Sequence, residues 1–207
     1  MKAIKKLFLV NGAPNSGKDE ACEYLTGYFR HVENTLHTCF KRKIYQLAAE
    51  LYCIEYNTFY RLATGRDTKE LKISTIRGML SPREIMIHTS ESVIKPNFDK
   101  KYFGCALYQY VHEYNSQFYE NDDGTCVFVS DCGFTDEIIA VIEAGDVKPA
   151  DVVLIRLYRD GCSFVGDSRS FVSLPDGYTN IYDLENNGTL DDFRKNLKEI
   201  VWKHLDI

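Results

Sequence analysis

Apolar residues follow two different patterns along this chain, and the order in which the patterns alternate predicts the fold. Leu7-Phe8-Leu9-Val10 is an unbroken apolar run that ends in a glycine-rich turn. Cys126-Val127-Phe128-Val129-Ser130 and Val152-Val153-Leu154-Ile155-Arg156-Leu157 are runs of the same kind, rich in β-branched residues. Strands buried on both faces of a parallel sheet look like this, because neither face needs polar residues. Elsewhere the apolar residues recur at spacings of three and four, which predicts helices over Glu20 to Phe29, Cys39 to Leu62, Ser81 to Phe118, Asp136 to Ala144 and Leu190 to Leu205. Tyr178 to Leu184 reads as a weaker strand, and the helical middle of the chain offers none. The alternation predicts an α/β fold in three layers, a parallel sheet with helices on both faces.

At 207 residues the chain suits a single domain, residues 1–207, and no repeat, low-complexity tract or linker divides it. The polar stretch Glu120-Asn121-Asp122-Asp123-Gly124 reads as a turn. With 44% hydrophobic and 27% charged residues, the composition is that of a globular protein rather than a disordered one. The apolar run before Asn11 is too short for a signal-peptide core or a membrane span, so no membrane partner and a cytoplasmic location are expected. Cys22, Cys39, Cys53, Cys105, Cys126, Cys132 and Cys162 are odd in number and lack a C-x-x-C pair, which fits a reducing compartment better than a disulfide framework or a zinc site. The five histidines show no ligand spacing either. A net charge of −5 argues against a broad basic face for duplex DNA while leaving room for a local basic patch.

The turn after the first strand carries chemistry. Gly12-Ala13-Pro14-Asn15-Ser16-Gly17-Lys18-Asp19 matches the phosphate-binding loop G-x-x-x-x-G-K-[ST] except at its last place, where Asp19 stands for Ser or Thr. Glycines at this spacing let successive backbone N–H groups turn inward around a β-phosphate, the following helix adds its positive end, and Lys18 reaches the β- and γ-oxygens. A carboxylate at 19 can hold Mg²⁺ directly or through water. The motif alone turns up by chance in about one chain in twenty of this length, so its place between a strand and a helix gives it its weight. ATP and Mg²⁺ are the expected cofactors.

Asp131 follows the strand ending at Ser130 and so projects from the carboxyl end of a central strand, where open α/β sheets place their ligands. It is a candidate catalytic residue, as base, metal-shell ligand or both. Beyond the next core strand, Arg156, Arg159 and Arg169 lie in a polar segment that includes Gly166-Asp167-Ser168-Arg169 and reads as a short arginine-bearing lid. Arginines closing on a transferring phosphoryl group stabilise its spread charge, and Arg159 is the catalytic candidate among them. Ser81-Pro82-Arg83-Glu84 reads as a helix start, with Ser81 as the cap and Pro82 in the first position.

These blocks, together with Val129-Ser130-Asp131-Cys132-Gly133-Phe134 and the ending Asn186-Asn187-Gly188-Thr189-Leu190, make the chain resemble the bacteriophage deoxynucleoside monophosphate kinases and their thymidylate-kinase-like relatives over most of its length. The resemblance implies a P-loop NTPase fold and a kinase, with Lys18 and Asp131 catalytic and Arg83 and Phe134 near the acceptor. One departure matters. Where those enzymes carry Asp-Val-Arg-Phe, this chain has Asp131-Cys132-Gly133-Phe134. If the arginine holds an acceptor phosphate, its loss removes a bidentate anion clamp and disfavours a phosphate acceptor, and restoring it at 133 should favour monophosphates.

An alcohol acceptor, unlike a monophosphate, must give up a proton and benefits from a positioned carboxylate. In its D-x-G-F and G-D-S-R blocks the chain is similar to relatives that phosphorylate 5-hydroxymethyluracil within phage DNA. That resemblance implies a thymidine-hypermodification enzyme working on DNA in the host cytoplasm. A base in DNA must be flipped or single-stranded to reach such a cleft, usually with aromatic stacking, and Tyr102, Phe103, Tyr108, Tyr110, Tyr114, Phe118 and Tyr119 crowd one helical stretch. Lys41, Arg42, Lys43, Lys95, Lys100 and Lys101 are candidate phosphate contacts. The alternatives are a deoxynucleoside monophosphate kinase, with a free deoxynucleotide as acceptor, and a non-catalytic nucleotide-binding protein.

Overall fold

The computed structural model describes residues 3–118, 124–167 and 169–205, without the side chain of residue 118. Ser168, Tyr119 and residues 120–123 of the expected turn lie outside the described residues. The chain runs β1 (Ile4–Gly12), α1 (Lys18–Phe29), β2 (Thr35–Thr38), α2 (Lys41–Leu51), α3 (Tyr56–Thr64), β3 (Ile73–Thr75), β4 (Gly78–Leu80) and α4 (Pro82–Ile87). A π-helical stretch, His88–Ile94, leads into α5 (Lys95–Asn97) and α6 (Tyr102–Phe118). Then come β5 (Thr125–Cys132), α7 (Thr135–Gly145), a 3₁₀ turn at Pro149–Asp151, β6 (Val152–Tyr158), β7 (Ile181–Glu185) and α8 (Leu190–Trp202).

Five strands form one all-parallel sheet in the order β2-β5-β1-β6-β7. Successive residues of a strand point to opposite faces, and β1 shows what each face needs. Leu7 and Leu9 meet Val127, Leu154, Leu107, Val111, Ile138 and Val141, so α6 and α7 cover that side. Phe8 and Val10 meet Phe128, Val153, Leu25, Phe29, Leu197 and Val201, so α1 and α8 cover the other. The Phe8 and Phe128 rings stack across neighbouring strands with centroids 4.8 Å apart. Burying both faces is why these runs carry no alternating polar residues. The result is a three-layer α/β fold, a parallel sheet with helices on both faces. Its connections run to one side of β1 as far as β5 and to the other side afterwards, which makes the carboxyl end of β1 the switch point where such sheets bind ligands.

The middle of the chain departs from expectation. The helical periodicity after Cys39 is broken at Cys53, whose φ of 53° is left-handed, and Glu55 restarts the helix by accepting from the Asn57 and Thr58 amides at 2.8 and 2.7 Å. The edge strand β2 and the antiparallel β3–β4 hairpin lie in or beside a region expected to hold no strand. Both are short, and Ile76 and Met79 on the hairpin are exposed, so no buried apolar run announced them. The expected helix start at Ser81 is present as a full capping box with Glu84.

Candidate active site

The loop from Gly12 to Asp19 turns between β1 and α1 on left-handed residues. Asn15 has φ 66° and Gly17 φ 102°. Asn tolerates this region through local hydrogen bonding, and Gly pays no Cβ penalty there. Gly12 is required for a different reason, since a Cβ would meet Ser16 Oγ at 2.6 Å and the Leu157 carbonyl oxygen at 2.8 Å. The Ser16 hydroxyl is buried and makes no hydrogen bond, an unspent polar atom inside the loop.

Lys18 opens α1 and is buried, its ammonium donating to the Ala13 carbonyl at 2.7 Å. Burial, helped by the nearby Arg169 guanidinium, lowers its pKa to about 8. Asp19 follows it as an exposed carboxylate in the first turn of α1. No group of three or more His, Cys, Asp or Glu that could cage a metal occurs among the described residues. Mg²⁺ needs no such cage, because it keeps several waters and takes one or two carboxylates together with nucleotide phosphates. The exposed Asp19 carboxylate, beside a loop whose buried Ser16 hydroxyl is unpartnered, fits that mode of holding Mg²⁺ and ATP.

Asp131 lies at the carboxyl end of β5, nearly buried, and both its oxygens are engaged: Oδ1 accepts from the Phe40 amide at 2.8 Å and Oδ2 from the Lys41 amide at 3.0 Å. Helix α2 has no cap from its own side chains, so Asp131 satisfies its first amides from another element and sits at the positive end of its dipole. Each oxygen keeps a lone pair for a further partner.

The three lid candidates separate. Arg156 lies inside β6, and its guanidinium is taken bidentately by Asp183 of β7, at 2.6 and 2.9 Å. It belongs to the sheet and not to a lid. Arg159 lies just beyond β6, exposed, with one long contact of 3.4 Å to the Asn15 carbonyl. Arg169 is 17% exposed and makes a fork with Asp167, Nε to Oδ1 at 2.8 Å and Nη2 to Oδ2 at 2.6 Å. The fork holds the Asp167 carboxyl well below the usual carboxylate range and raises the Arg169 guanidinium, which also feels Asp131 and Asp19. Immediately beyond Arg169, the fully buried Asn11 of β1 donates to the Ser170 and Cys132 carbonyls at 3.1 and 2.8 Å and accepts from the Val172 amide at 3.3 Å. Sequence reading passed over Asn11. A polar residue within an apolar strand, just before the loop glycine, was the signal.

Of the acceptor candidates, Arg83 sits in the first turn of α4, exposed, with a weak 3.4 Å contact to Glu70, and its charge reaches Asp167. Phe134 stands just before α7 with the Lys95 ammonium 3.9 Å over its ring. Lys95 also pairs with Glu91 at 2.8 Å and approaches the buried Glu137 at 3.6 Å. Burial raises the Glu137 pKa to about 8, an effect that Lys95 opposes. Among the described side chains, the aromatic run of α6 packs against the core. Phe103 is fully buried, Tyr108, Tyr110 and Tyr114 lie against the core, and Arg42 rests on the Tyr110 ring at 3.8 Å.

On the opposite side of the loop, Asn186 donates to the Ser16 carbonyl at 2.9 Å, and Asn187 Oδ1 accepts from the Asp160 amide at 2.8 Å. With Gly17, Glu20, Arg159 and Phe193 these residues line a cleft of about 370 Å³.

No protein-family model matches the chain, and no curated protein matches it in sequence. A gluconokinase from Sinorhizobium meliloti 1021 is similar in structure, with a TM-score of 0.44 and 11% identity over 97% of this chain and 94% of that one. Among the described residues no helix is long and apolar enough to cross a membrane.

Proposed function

We propose that this protein is an ATP- and Mg²⁺-dependent kinase. The observation that carries the reading is the gathering of Lys18, Asp19, Asp131 and Arg169 at the mouth of a left-handed, glycine-built loop, close enough for the charge of each to act on others. Two cations and two carboxylates around a phosphate cradle are the parts that phosphoryl transfer requires. The loop amides and the α1 N-terminus would take the β-phosphate, and Lys18 would exchange the Ala13 carbonyl for phosphate oxygens. Asp19 would hold Mg²⁺, which supplies charge neutralisation when bound. The cleft between Arg159, Asn186 and Asn187 is sized for the donor's nucleoside.

For the acceptor, the reading carried forward is the hydroxymethyl group of 5-hydroxymethyluracil in DNA. Its support is the family resemblance and the arm from Arg61 to Arg83, which ends at the helix bearing Arg83. That arm holds six basic residues against two acidic ones in a chain of net charge −5. Such an arm suits a phosphodiester backbone. The lone pairs left on Asp131 would accept the alcohol proton. A second reading, a deoxynucleoside monophosphate, is favoured by one specific observation: Arg169 lies directly across Gly133. A guanidinium therefore stands beside the motif that lacks one in sequence, where it could meet an acceptor phosphate.

The test offers γ-labelled ATP and Mg²⁺ in parallel with DNA containing 5-hydroxymethyluracil, ordinary DNA, and the separate deoxynucleoside monophosphates. Label in the modified DNA alone supports the first reading, and label in a monophosphate supports the second. Nucleotide binding without transfer to any acceptor would reject the kinase assignment.

A further inference from the structure

The segment after β6 carries an arginine whose position is over-determined. A Cβ built on Gly133 would lie 2.6 Å from both Cγ and Cδ of Arg169 and 2.9 Å from its Cβ. These are the proximal atoms of the side chain, so no rotation of the guanidinium alone would relieve the clash. Gly133 is therefore a slot, and the stem of Arg169 lies in it. Asp167 closes the far end through the fork and also accepts from the Arg169 backbone amide at 3.0 Å. Asn11 ties down the chain on the other side of Arg169, at Ser170 and Val172.

We propose that Gly133 and Asp167 are positioning residues that pre-set the Arg169 guanidinium against the terminal phosphoryl group. The inference rests on the kinase reading above. Fork geometry explains why arginine and not lysine stands at 169, since only a planar guanidinium can keep Asp167 on one edge and present its other N–H groups to phosphate. A guanidinium held this way does not have to be ordered during the reaction. The arrangement also reverses an expectation from sequence. Arginine at 133 should not add a clamp, because its own Cβ would evict the one already there.

The experiment measures binding of a non-hydrolysable ATP analogue and of ADP to the wild type and to Gly133→Ala, Asp167→Asn, Arg169→Ala and the Gly133→Ala/Arg169→Ala double variant, with kcat alongside and thermal melting as the folding control. The wild type should prefer the triphosphate. Gly133→Ala and Arg169→Ala should each lose that preference, by about tenfold or more, with ADP affinity unchanged, and the double variant should be no worse than Arg169→Ala. Asp167→Asn should show a smaller loss of the same kind. Free guanidinium should restore part of the kcat of Arg169→Ala and nothing to Lys18→Ala. A folded Gly133→Ala that keeps its triphosphate preference, or effects at 133 and 169 that simply multiply, would overturn the proposal while leaving the kinase reading intact. Absence of nucleotide binding in the wild type would overturn both.

Discussion

The two ends of the segment that leaves β6 are built in opposite ways. At one end Arg159 is exposed and meets the loop through a single contact of 3.4 Å to the Asn15 carbonyl. At the other, Arg169 is 17% exposed, forked to Asp167, laid into the Gly133 slot and followed by residues stitched to buried Asn11. An exposed arginine with one long contact has lost little of its freedom and must be ordered when ligand arrives. One that is already ordered carries no such cost. Both read alike in the sequence, as lid arginines, and the structure leaves one loose and holds the other fixed.

The sharpest way to break this contrast is to remove each arginine in turn. Arg169→Ala is expected to lower kcat by about 100-fold, and Arg159→Ala by about tenfold or less, mostly through KM for the nucleotide. Equal losses measured in the same steady-state assay would erase the distinction. Next in size, Asn11→Ala should destabilise the fold by about 1–3 kcal/mol, because it leaves the buried Cys132 carbonyl and Val172 amide, and the partly buried Ser170 carbonyl, short of a partner. It should also push the Arg169 end towards Arg159-like behaviour. A melting curve and the triphosphate-over-ADP preference, taken on one preparation, check both halves of that expectation.

A pH series sharpens the picture from the phosphate side. With its pKa at about 8, Lys18 is partly neutral in the free protein at pH 8 to 9, and phosphate binding should return its proton. Nucleotide affinity should therefore weaken as pH rises above about 8, and calorimetry in buffers of different ionisation heat should detect proton uptake. Arg169→Ala removes a neighbouring cation and should move that transition upward.

The smallest effect concerns Glu137, whose folded pKa is about 8 against 4.5 unfolded. The folded form binds the extra proton between those values, so this group's contribution to stability falls as pH rises from about 4.5 to 8 and is level above. The difference in melting temperature between wild type and Glu137→Gln should follow that course. A difference independent of pH would place the titration elsewhere.

Several elements were legible because they rest on local rules. The apolar runs of β1, β5 and β6, the helix start at Ser81, and the Gly12–Asp19 loop each follow from neighbouring residues alone. The hairpin β3–β4 and the edge strand β2 were not legible, since short strands without a buried apolar run leave no periodic trace. Among the site residues, the sequence placed Lys18 and Asp19 on the loop and put Asp131 at a strand end. It could not tell Arg156, bound to Asp183 across the sheet, from Arg169.

By itself, then, the sequence determined a parallel α/β sheet and a glycine-rich loop of the phosphate-binding pattern, because hydrophobic period, turn glycines and capping residues act over a few positions. Only the tertiary structure decided what Asp131 and Arg169 do. Asp131 caps a helix that begins 90 residues before it, and Arg169 occupies a slot made by a glycine on another strand's end. Neither partnership leaves a mark on nearby residues, because each depends on which strands the sheet sets side by side.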